Sequence, residues 1–79
     1  MIPREQGMQA ALQEAMTAYE QGDYAAAADT FSYVKSEYGE ETAYLDLEPQ
    51  LLPYWGHACR QAGDSAGAIA LFEQYLAGA

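Results

Sequence analysis

One ten-residue stretch occurs twice in this chain, and that recurrence constrains the fold more than any other feature. Gly22-Asp23-Tyr24-Ala25-Ala26-Ala27-Ala28-Asp29-Thr30-Phe31 returns, forty-one residues on, as Gly63-Asp64-Ser65-Ala66-Gly67-Ala68-Ile69-Ala70-Leu71-Phe72. Gly, Asp, Ala and Phe keep their offsets, and each copy follows a helix-like segment that carries Gln near its end. Self-similarity at such a period marks a repeat architecture. Each copy reads as a helix stop followed by a helix start. Gly22 and Gly63 can take the left-handed conformation that closes a helix, and Asp23 and Asp64 can cap the free N–H groups of the next. Ala27 with Phe31, and Ala68 with Phe72, then share one face of that next helix. The expected fold is all-α, with two antiparallel helical hairpins, four helices in all, stacked side by side.

Composition agrees. Half of the 79 residues are apolar, Pro is scarce, and Ala, Leu, Gln and Glu favour helix. The length allows one domain near the lower limit for a self-supporting core. Three basic against twelve acidic residues give a net charge of −9. That charge argues against nucleic acid, whose phosphates demand a basic surface, and against anionic membranes. It suits a soluble protein that meets a protein or peptide partner, basic ones included. A lone Cys59 leaves no internal disulfide and no multi-cysteine metal site. No apolar run approaches a membrane span and nothing resembles a signal peptide, so a cytoplasmic setting is the default expectation.

In chain order, residues 1–7 read as a frayed lead-in to a first helix over about 6–21, with Leu12, Met16 and Tyr19 on one stripe. Met8, Ala11, Ala15 and Ala18 widen it. The second helix is expected over 24–38, burying Tyr24, Ala27, Ala28, Phe31, Val34 and Tyr38, with Gly39 ending it. From Glu37 to Glu48 there are five acids and no base, so 39–48 reads as a connection. Its Tyr44, Leu45 and Leu47 fold back onto a helix pair or extend the third helix by a turn. Pro49 and Pro53 place the start of that helix at about 49. It then runs to about Ala62, burying Leu52, Trp55, Cys59 and Ala62, with Gly56 leaving room for a neighbour. A fourth helix over about 65–76 carries Ala68, Ile69, Phe72, Tyr75 and Leu76. The single domain 1–79 thus divides into repeat 1 (about 6–38), the connection and repeat 2 (about 49–77).

This pattern resembles the tetratricopeptide repeat, whose first helix carries a large apolar residue, then Leu-Gly, then Tyr, and whose second carries Ala-x-x-x-Phe. The second copy supplies Leu52, Trp55-Gly56 and Cys59, then Ala68 and Phe72. The first supplies Ala11, Ala15 and Ala18, then Ala27 and Phe31, and departs in having Glu14 where Leu is usual. The copies are seven residues further apart than the usual 34. The resemblance implies a short α-solenoid that binds a partner segment in the concave face lined by the first helix of each repeat. Carried across, that lining is Gln9, Leu12, Gln13, Met16, Tyr19 and Glu20, then Gln50, Pro53, Tyr54, His57, Arg60 and Gln61. Gln13, Met16, Tyr19, Glu20, Tyr54, His57, Arg60 and Gln61 are the expected partner-binding residues. Leu12 and Met16 serve equally well as packing against the neighbouring hairpin. The lining lacks the Lys and Asn set with which some members hold a C-terminal carboxylate.

Catalytic chemistry is not expected. His57 and Cys59, two apart on a helix, point about 200° from one another and cannot share a metal or form a thiol–imidazole pair. Cys59 reads as a small core residue. No calcium-loop pattern or phosphate-binding glycine loop is present, and no carboxylate pair stands in an apolar setting. No cofactor is called for. The expected function is a non-catalytic protein-interaction module. The alternative is a self-assembling unit, or a fragment of a longer array that stacks through its hairpin faces. A ligand-binding four-helix bundle is disfavoured because no polar constellation projects inward. Ile69, Leu71, Tyr75 and Leu76 exceed what one stripe of the last helix can bury, which predicts a patch available for self-association as a homodimer.

Overall fold

The structure is a computed structural model that describes residues 4–77. Four helices account for it: α1 (Arg4–Glu20), α2 (Tyr24–Tyr38), α3 (Thr42–Gln61) and α4 (Ser65–Ala77). The fold is all-α and built of helical hairpins.

The two Gly-Asp turns are the same object made twice. Gly22 and Gly63 are left-handed, at φ 82° and 92°. In the first turn the Gly22 N–H donates to the Tyr19 carbonyl and the Asp23 N–H to the Ala18 carbonyl. In the second, Gly63 donates to Arg60 and Asp64 to Cys59. These reverse bonds satisfy carbonyls that the ending helix leaves open. The aspartates then cap the next helix: Asp23 Oδ1 accepts from the Ala26 N–H and Asp64 Oδ1 from the Gly67 N–H, at 3.3 and 3.0 Å. Gly39 does something else. It closes α2 in a right-handed conformation, and a Cβ there would run into the Lys35 carbonyl.

Each helix packs on the next in sequence. In addition α1 touches α3, whereas among the described residues α2 and α4 do not meet. The stack is therefore tighter along the first helices of the two hairpins than along the second. Phe31, Met8 and Val34 are fully buried, with Leu12, Ala15, Ala27, Leu52, Trp55, Ala58, Cys59 and Ala68 around them. The Phe31 and Trp55 rings stack with centroids 6.2 Å apart, joining α2 to α3.

Three expectations need correction. First, α1 begins at Arg4, so 4–7 are helix rather than lead-in; residues 1–3 lie outside the described residues. Arg4 earns its place by reaching across to the Glu41 carboxylate at 2.6 Å and the Glu37 carbonyl at 2.7 Å, with its guanidinium over the Tyr38 ring. Second, 42–48 are the opening two turns of α3, and Pro49 and Pro53 lie inside it. An interior proline removes one backbone bond and costs about 3 kcal/mol. What outweighs that cost is tertiary. Tyr44 is buried against the core, and Glu48 binds two neighbours at once, Lys35 of α2 at 3.3 Å and Gln74 of α4 at 3.0 Å. Third, the apolar stripe assigned to the last helix is only partly buried, and of the residues expected to stay uncovered Leu71 alone packs on the core. Only Ala68 is fully enclosed, Leu71 and Phe72 are half-buried, and Ile69, Tyr75 and Leu76 are exposed. Ala62, the last residue assigned to the third-helix stripe, is also exposed.

Gly56 is enclosed, and the reason is the Phe72 ring: a Cβ at 56 would lie 3.0–3.2 Å from three of its carbons. The same place in the first hairpin is held by Ala15, also buried.

Tyr44 carries the fold's one unpaired buried side-chain polar atom among the described residues, its hydroxyl. Burial pushes the phenol well above its ordinary value, and the neighbouring Glu48 charge adds to that. Glu48 lies near enough to raise the phenol, but the hydroxyl makes no hydrogen bond to it or to any other group, and the Glu48 oxygens accept from Lys35 and Gln74 instead. Removing an unpaired hydroxyl relieves a desolvation cost of about 1–3 kcal/mol. Tyr44→Phe is thus expected to melt at or above the parent temperature. A clear fall in melting temperature would mean that the hydroxyl has a partner in solution.

Candidate functional site

The turn at Gly22 brings Tyr19, near the end of α1, back beside Tyr24 at the start of α2. Their rings meet edge to face at 5.4 Å. α3 lies alongside, and its Tyr54 and His57, one helical turn apart, close the group. Tyr54 meets Tyr19 edge to face at 5.5 Å, and His57 lies 5.7 Å from Tyr19 and 5.6 Å from Tyr24. Such edge contacts contribute about 0.5–1.5 kcal/mol each beyond the area they bury. The cluster therefore pins the two hairpins together. It also keeps one open edge, since Tyr54 leaves 44% of its surface in solvent. Burial raises the Tyr19 phenol, with the adjacent Tyr24 and Tyr54 adding to it, so Tyr19 stays a neutral phenol.

Of the eight residues expected to bind a partner, Tyr19, Tyr54 and His57 come together in this cluster. Met16 is half-buried and packs against the core. Gln13, Glu20 and Gln61 are exposed. Arg60 is exposed too, but it lines a separate hollow between α3 and α4 with Ser65, Ala68, Ile69 and Phe72. Of the other residues carried across with them, Leu12 is buried in the core, while Gln9 and Gln50 are exposed and Pro53 half-buried. Tyr24 is the member that sequence reasoning missed. It reads as part of the buried stripe of α2, and it is partly that. The signal available was its position two residues after the left-handed Gly22, with Tyr19 five residues before it.

The expected self-association residues divide. Leu71 packs against the core, whereas Ile69, Tyr75 and Leu76 remain outside. Cys59 is buried, and burial pushes its thiol up, with Asp64 adding to it, so it stays protonated. Among the described residues no three of His, Cys, Asp and Glu converge as a metal site would require, and no helix is long and apolar enough to cross a membrane. No family model, curated protein or solved structure matches this chain.

Proposed function

We propose that this chain is a tetratricopeptide-like interaction module, non-catalytic, that holds a peptide segment of another protein along the face shared by α1 and α3. The observation that carries the reading is the Tyr19–Tyr54–His57 cluster, which lies on the two first helices and has an open edge flanked by exposed amides. Tyrosine rings are favoured contact surfaces in protein interfaces, and amides pair with an extended backbone. The tetratricopeptide likeness draws support from the duplicated turn and from first helices that touch while second helices do not. With −9 of charge on the chain, a basic segment is favoured over an acidic one. A cytoplasmic setting accompanies this reading.

The test uses a displayed library of random peptides, selected on the parent protein. Selected peptides are then measured against a Gln13→Ala/Tyr54→Ala variant. Gln13 is exposed and Tyr54 gives up a single edge contact worth about 0.5–1.5 kcal/mol, so the helical signal should be unchanged. Central aromatic contacts are worth about 2 kcal/mol or more, and binding should weaken roughly 30-fold. Peptides that bind parent and variant alike, or a selection that enriches nothing, would sink the assignment.

A further inference from the structure

The duplication states what each hairpin face is built to receive. On α2 the stripe Tyr24, Ala28, Phe31 and Lys35 is covered by α3: Tyr24 meets His57, Phe31 stacks on Trp55, and Lys35 pairs with Glu48. Forty-one residues on, the same stripe of α4 is Ser65, Ile69, Phe72 and Leu76. Ser65, Ile69 and Phe72 border the hollow with Arg60; α3 covers Phe72 on its Gly56 side only, and Ile69 and Leu76 stay exposed. Ile69 and Leu76 leave 59% and 68% of their surfaces in solvent. The second hairpin thus presents an apolar acceptor face that the first hairpin has filled.

Charge says what fills it. The first 48 residues carry ten acids and two bases, a net −8, and the last 31 carry two acids and one base, a net −1. The α4 end is near-neutral whereas most of the charge lies between Glu14 and Glu48, so two copies meeting there keep their charged parts apart. Propagation head to tail is not open to them. Counting back forty-one residues from Glu48, Trp55 and His57, the α3 residues that cover α2, leads to Gly7, Glu14 and Met16 of α1, with the exposed Glu14 where Trp55 stacks on Phe31. An α1 offered to the acceptor face would bury the unpaired Glu14 carboxylate against Phe72, where the first hairpin has the Trp55 ring. We infer that the α4 stripe Ile69–Phe72–Leu76 docks a second copy of this chain through the same stripe, giving a closed two-fold pair and not a filament. This face is separate from the Tyr19–Tyr54–His57 face, and either assignment can fail without the other.

A single helix face per copy makes a small interface, so the pair should be weak and visible only at high concentration. Sedimentation equilibrium of the full chain at about 100 µM should return twice the chain mass, and the association should tighten when salt rises from about 50 to about 500 mM. Ile69→Glu/Leu76→Glu should return the single-chain mass at every concentration, with the circular dichroism spectrum unchanged because both side chains are already exposed. Leu45→Glu, an exposed apolar site on α3, should leave the pair intact. A parent that stays single at both salts overturns the inference, as does a ladder of masses above two. Pairing that survives Ile69→Glu/Leu76→Glu, or that is lost equally in Leu45→Glu, overturns the assignment to this face.

Discussion

Phe31→Ala is expected to leave the chain largely unfolded at room temperature, whereas Phe72→Ala is expected to leave it folded. The two phenylalanines hold the same position in the duplicated sequence but not the same environment. Phe31 exposes 1% of its surface, packs among Ala27, Val34 and Trp55, and stands between two hairpins. Truncating a buried Phe costs about 3–5 kcal/mol. A core this small supplies about as much net stability in total. Phe72 lies over Gly56 on one side and borders an open hollow on the other. Its loss should cost roughly 1–2 kcal/mol, in keeping with partial burial. Urea titrations followed by circular dichroism give both numbers, provided the slope with denaturant is unchanged. Equal losses in the two variants would show that α4 is covered in solution, either by a partner copy or by another arrangement of the hairpins.

That inequality also marks what a repeat in sequence can and cannot reveal. The turns were legible because their chemistry is local: a left-handed glycine and a capping aspartate act within one turn of chain. The bounds of α2 were legible because its stripe is continuous from Tyr24 to Tyr38. The start of α3 was not, since its two prolines and its run of acids argue against helix one residue at a time. What decides there is long-range, namely the burial of Tyr44 and the two contacts of Glu48 with α2 and α4. The aromatic cluster was legible in part. Helical spacing puts Tyr54 and His57 on one face, and the register of first helices puts Tyr19 opposite. Tyr24 enters from a different helix, and only the path of the turn reveals it. The exposure of Ile69, Tyr75 and Leu76 was legible because the last helix carries more large apolar residues than one stripe can bury, whereas the packing of Leu71 depends on the path of α3.

Gly56→Leu should destabilise the fold by about 1–3 kcal/mol, the usual cost of overpacking, and the loss should shrink when Phe72 is removed as well. The opposing terms can be separated. A glycine inside a helix costs about 1 kcal/mol relative to alanine, so a first carbon at 56 gains in the backbone what it loses against the ring. Phe72 is half-buried and can tilt by a few tenths of an ångström, which makes Gly56→Ala close to neutral. A leucine branch asks for more. It must occupy the volume that the ring now fills, between α3 and α4, and the ring can leave only by swinging into the open hollow. In Gly56→Leu/Phe72→Ala that volume is free, and the new side chain fills the gap the truncation makes. The double variant should therefore be more stable than the sum of the single losses allows, by about 1 kcal/mol or more of coupling. The measurement is a double-mutant cycle by urea unfolding at a concentration low enough to keep the chains single. Additive losses would mean that Gly56 and Phe72 do not touch, and the register of α3 against α4 would have to be redrawn.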